Sequence, residues 1–131
     1  MPSTTDHNET VDGGLNLAVL RGPCSGPPEV HSLPSGRRLA SLAVRVREPD
    51  DAKSTSVPVT VWEPPAWVET LAGGEPLVIV GRVRRRFFRT SIGGTGARVD
   101  VECDAIAKAG DRRRLDALRR RAETTLDRLA G

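Results

Sequence analysis

Short valine-rich runs, each closed off by proline or glycine, fill residues 15–109 and leave the chain few ways to fold. Apolar residues at every second place match the pleat of a strand, not the 3.6-residue turn of a helix. In RRLASLAVRVRE (37–48), Leu42, Val44 and Val46 share one face, and Ser41, Arg45 and Arg47 share the other. In the next run, Val57, Val59 and Val61 alternate with Pro58, Thr60 and Trp62. Turn chemistry separates the runs: Pro34-Ser35-Gly36, the polar stretch 49–56, Gly73-Gly74, and TSIGGTG at 90–96. The pattern predicts a small all-β barrel or sandwich.

The expected elements are a first strand over 15–22, a short piece at 29–33, the long strand 37–48, and a strand from Val57 to Trp62. One helical turn is expected at 67–71, a strand at 76–88, a hairpin tip at 90–96 and a last strand at 97–106. On that last strand Val99, Val101 and Cys103 should point inward, and Arg98, Asp100 and Glu102 outward. Residues 111–129 differ in kind. Asp111 is a good N-cap, no proline follows, and Leu115, Leu118, Ala122, Leu126 and Leu129 form a stripe at helical spacing. The stripe either docks on the barrel or forms a seam with another copy. The chain therefore divides into a polar, disordered tail (1–14), a β domain (15–109) and an amphipathic helix (111–130).

The length of 131 residues and a 37% hydrophobic share suit one small domain with a modest core. Cys24 and Cys103 lie far apart, and with only two histidines they make no metal-ligand pattern, so no cofactor is expected. They read as buried thiols of a reducing cytosol, with a single disulfide as the alternative. No apolar run approaches the ~20 residues of a membrane span. The opening MPSTTDHNETVDGG has no basic segment followed by an apolar one, which predicts a cytoplasmic protein. Nor does the chain look like an enzyme. His7 sits in the polar tail and His31 in a turn-rich segment, while the GGTG at 93–96 lacks the Lys-Ser/Thr of a phosphate loop.

One stretch calls for a functional explanation: GRVRRRFFR at 81–89, which carries the only two phenylalanines of the chain. Alternation puts Arg82, Arg84, Arg86 and Phe88 on one face. If neighbouring strands pair, Trp62, Arg45 and Arg47 join them. Cations for phosphates and flat rings for unpaired bases are what a single nucleic-acid strand requires. The plainer explanation is a solvated edge strand whose arginines discourage aggregation, with the aromatics packed in the core.

Three segments resemble the bacterial single-stranded DNA-binding protein family, an OB-fold family. They are LNLAVLRGPCSGPPEVHSLPSGRRLASLAVRV, SVPVTVWEPPAWVETLAGGEPLVIVGRVRRRFF and ARVDVECDAI, in that order and spacing. The resemblance implies a five-stranded antiparallel OB-fold barrel followed by a C-terminal α-helix. It also implies sequence-tolerant binding of single-stranded DNA in replication, repair or recombination, a nucleoid-associated location, and a homo-oligomer (dimer or tetramer). Trp62 and Phe88 match stacking positions of the family, and Arg84 and Arg86 match its backbone-binding basic residues.

Some positions depart from the family. Ser56 stands where the family commonly has a tryptophan, and the loop after Arg47 lacks an expected aromatic. Fewer platforms predict weaker, more salt-sensitive binding. The family's acidic C-terminal tip is missing, so its recruitment of partners is not expected here. Single-stranded DNA is the expected partner, and RNA would suit the same surface. The alternative is an OB-fold assembly module with little nucleic-acid binding.

Overall fold

The computed structural model describes residues 13–129. Residues 1–12 of the expected tail and Ala130 of the expected helix lie outside the described residues. The elements run β1 (Ala18–Pro23), β2 (Glu29–Ser32), β3 (Arg38–Val46), β4 (Thr55–Trp62), α1 (Ala66–Glu69), β5 (Pro76–Arg89), β6 (Thr95–Lys108) and α2 (Arg112–Leu126).

The sheet corrects the expected five antiparallel strands in two ways. It has six strands, ordered β1-β5-β6-β4-β3-β2. The sixth strand is the short piece expected at 29–33, kept apart from β1 by Gly26-Pro27-Pro28, because two prolines without N–H groups cannot continue a ladder. β1 then pairs with β5, and β2 with β3. In addition, β4 and β6 run parallel, with Val59 opposite Val101. No hairpin joins these two strands. The chain leaves β4 through α1, ascends β5 and returns on β6, so β6 points the same way as β4.

The barrel closes where β1 meets β3. Cys24 bridges Val44 in antiparallel sense, and the Ser25 N–H donates to the Ala43 carbonyl at 2.9 Å. Gly22 makes this approach feasible, since a Cβ there would collide with the carbonyl oxygen of Arg45. Inside lie Leu42, Val44, Val59, Val61, Leu77, Ile79 and Val101. Val68 and Leu71, from α1 and the turn after it, join the same core.

On the outer face α2 docks on the barrel. Leu118 is buried against Val80 and Ala107, with Leu115 and Ala122 partly covered beside it. Burying one such leucine contributes about 1.5–3 kcal/mol. The Asp111 carboxylate caps the helix by accepting from the Arg114 N–H at 3.2 Å. The leucine stripe is thus used intramolecularly in its first half, while Leu126 and Leu129 remain exposed. A bulge at Val80/Gly81 adjusts the outer face beside the helix. It leaves Asp104 unpaired in the ladder and places it next to Ala105.

The β5–β6 hairpin outruns the barrel. Val99, expected inward, is 58% exposed, because the core ends before the strand does. Val83 and Phe87 share that uncovered face. Asn16 fastens the base of the hairpin: its Nδ2 donates to the Val83 carbonyl, and its Oδ1 accepts from the Val83 N–H, both at 2.8 Å.

Candidate nucleic-acid interface

Strand register brings most of the expected site residues onto the outer face. Along β5 and β6, Arg82 stands opposite Glu102, Arg84 opposite Asp100, Arg86 opposite Arg98 and Phe88 opposite Gly96. The arginines do not share one fate. Arg82 donates from Nη2 to Glu102 at 2.7 Å, and its Nε lies 3.3 Å from Asp104. Arg86 donates from Nε to Asp100 at 2.7 Å and from Nη2 to Glu102 at 3.0 Å. Arg121 of α2 extends the ladder, 3.9 Å from Asp104. Arg82 and Arg86 are therefore held by carboxylates, and a phosphate would have to compete for them. The sequence already carried this signal. Alternation placed Asp100 and Glu102 outward on a strand adjacent to the arginines, and opposite charges facing each other across a pair attract.

Asp100 anchors the ladder from a buried position on the same face, bonded to Arg86 and Thr60. Its side chain is fully buried, and its Oδ2 also accepts from the Thr60 hydroxyl at 2.8 Å, while Oδ1 has no protein partner. Arg84 differs from its neighbours. It is exposed and, among the described residues, has no carboxylate within 4.0 Å.

Phe88 is an exposed ring, not a core residue. It is 47% exposed, and its ring lies over Gly96, where a Cβ would come within 2.5 Å of the ring edge. The glycine gives the ring a flat seat and leaves its other side open. Phe87 points to the opposite face and is 67% exposed, with the Arg85 guanidinium 5.3 Å from its ring centre. Neither phenylalanine serves the barrel core.

Trp62 ends β4 on the outer side and is half-buried. The Arg37 guanidinium stacks 4.2 Å from its ring centre, and Arg37 also lies 3.8 Å from Glu63. Such a contact is worth about 0.5–1 kcal/mol at an exposed site. Nothing in the spacing of the sequence announced this cover. Trp62 and Phe88 do not form one platform. Thr60, two residues before Trp62, pairs with Glu102, and Phe88 pairs with Gly96. Trp62, two residues further along this parallel strand, is thus about eight residues of β6 from the Phe88 row, about 27 Å at ~3.4 Å per residue. A strand laid across this face would meet the two rings at different bases.

Arg45 and Arg47 are exposed at the far end of β3. They line a cleft at the barrel seam together with Arg21, a residue the sequence reading did not single out. Cys24 and Cys103 are both free thiols. Burial, followed by the Asp104 charge, pushes Cys103 up to about 12.

The mostly-β barrel, its mixed six-stranded sheet and the trailing helix are consistent with the OB fold. The fold is similar to that of a deletion variant of the single-stranded DNA-binding protein from Thermus aquaticus. The two structures superpose with a TM-score of 0.59 at 23% sequence identity, over 72% of this chain. The chain spans 40% of that protein's length. No family model matches the sequence, and no curated protein does.

Proposed function

We propose that this chain binds single-stranded DNA with little sequence preference, through the outer face built by β3 to β6. The observation that carries the reading is Phe88: an exposed ring seated on Gly96, on the same strand face as an arginine, Arg84, with no acidic partner among the described residues. Arg84, Arg45 and Arg47 would capture phosphates first. Phe88 would then stack one base, and Trp62 another, sharing its ring with Arg37. Arg82 and Arg86 would contribute through the ladder, partly neutralised by its acids. A place in replication, repair or recombination follows from this reading, as does a nucleoid-associated location. RNA satisfies the same chemistry and is the natural competitor ligand.

The test is tryptophan fluorescence during titration with a thymidine oligonucleotide, at low and then high salt. Saturable quenching reversed by salt is expected. Phe88→Ala should weaken binding by about 5- to 150-fold, the equivalent of roughly 1–3 kcal/mol for one stacked base. Wild-type-like affinity in Phe88→Ala would remove the platform from the account.

A second reading has its own observation. Val83, Phe87 and Val99 are exposed apolar residues around Arg85 on the other side of the hairpin. This favours an assembly role, with a second copy of the chain as the simplest partner. Light scattering of Phe87→Ser against the parent would show a drop in mass if that face joins copies.

A further inference from the structure

Three arginines converge on one cleft at the barrel seam. Arg21 from β1 and Arg45 and Arg47 from the end of β3 line a cavity of about 600 Å³ that contains no acidic residue. All three are exposed, and among the described residues none has a carboxylate within 4.0 Å. This is unlike β5, where Arg82 and Arg86 are each held by two acids. The loop after β3 does carry acids, but Glu48 and Asp51 line a separate cavity with Leu20 and Val57. Ala52 and Ser54 are what the loop presents to the arginine cleft.

The placement is built into the backbone. Gly22 lets β1 touch the Arg45 carbonyl, which draws the neighbouring Arg21 to the end of β3. Three like charges directed at one space repel, and an anion relieves that repulsion. The planar fork of guanidinium matches phosphate oxygens, and Ser54 supplies a hydroxyl donor. The cavity is far larger than a single water, whose share of liquid volume is about 30 Å³. It falls within the roughly 300–1,000 Å³ of organic ligand sites. No aromatic residue lines it, so it has nothing to stack a base on.

We propose that this seam cleft is a phosphate-binding site that grips the backbone of the bound strand, reading charge and not base. The inference rests on the proposed single-strand binding and adds Arg21 to it. The same chemistry would accept the phosphates of a free polyphosphate, and the experiment separates the two sources.

The full-length chain is titrated with a fluorescein-labelled thymidine oligonucleotide over a salt series, following anisotropy. Each single-strand phosphate contact contributes about 0.7 to the slope of log K against log salt. Arg21→Ala and Arg47→Ala should each lower that slope by about 0.7 and the double variant by about 1.4, with Arg21→Lys retaining it. Phe88→Ala should weaken binding with the slope unchanged. Thermal melts of all variants check that the barrel remains folded. If the parent binds and the double variant keeps both slope and affinity, the cleft is not a backbone site, while the functional reading stands. If the parent binds no oligonucleotide, the functional reading falls and inorganic pyrophosphate tests the cleft alone. Saturable shifts of the Arg21 and Arg47 Nε–H resonances, lost in the double variant, would keep it as a site for free phosphates. No shift would overturn it.

Discussion

Arg86→Ala distinguishes a strut from a ligand arm. Arg86 reaches from the hairpin to Asp100, whose carboxylate is fully buried and keeps only the Thr60 hydroxyl once the guanidinium is gone. Removing one partner of a buried pair costs about 3–5 kcal/mol, because an uncompensated charge stays behind. The Arg86–Glu102 contact, which is partly exposed, adds little to this. For a domain of this size the loss corresponds to a fall in melting temperature of about 10–20 °C. Arg84→Ala, with no partner to strand, should stay within about 0.5 kcal/mol of the parent. It should instead weaken oligonucleotide binding. Replacing both partners, as in Arg86→Met with Asp100→Leu, should recover most of the lost stability, since an apolar pair of similar volume leaves no buried charge. Circular dichroism melts of the four proteins, beside anisotropy titrations, carry the test. If Arg86→Ala melts like the parent and loses binding as Arg84→Ala does, Arg86 is a phosphate arm and the ladder argument is wrong.

The same geometry makes further predictions. Gly96→Val removes the seat of Phe88, so it should reduce oligonucleotide affinity about as much as Phe88→Ala, with the far-ultraviolet spectrum intact. Leu118→Ala should destabilise the protein by about 2–4 kcal/mol in denaturant titration, because α2 docks chiefly through that side chain. The Cys103 thiol, pushed up to about 12 from 9.0 by burial, should resist iodoacetamide near neutral pH until denaturant is added, as read by mass spectrometry. The sign of its linkage follows: its contribution to stability is complete below pH 9.0 and is lost as the pH climbs toward about 12.

The strands of the barrel were legible because alternation and turn residues are local signals. Leu42, Val44, Val59, Val61 and Val101 all lie in the core where the two-residue period places them. The short piece at 29–33 was legible, but its place beside β3 and the parallel β4–β6 pair were not, since both depend on which strands meet across the closing barrel. Val99 shows another limit. Period gives the face of a residue but not where the core ends, and the hairpin runs past that point. The grouping of Arg82, Arg84, Arg86 and Phe88 on one face was readable. Their division into paired and unpaired cations was not, because it depends on the register of β6, which the Val80/Gly81 bulge resets. Arg21 escaped notice because a single arginine in an apolar strand has no meaning until Gly22 brings β3 beside it.

The most direct measurement is an amide and side-chain NMR titration of the full-length chain with a short thymidine oligonucleotide. Saturable shifts are expected at Gly96, at the Phe88 ring, at the Trp62 indole and at Arg84, with Phe87 and Val99 unmoved. Shifts confined to Phe87, Val83 and Val99, or none at all, would contradict single-strand binding by the outer face and leave it without its proposed ligand.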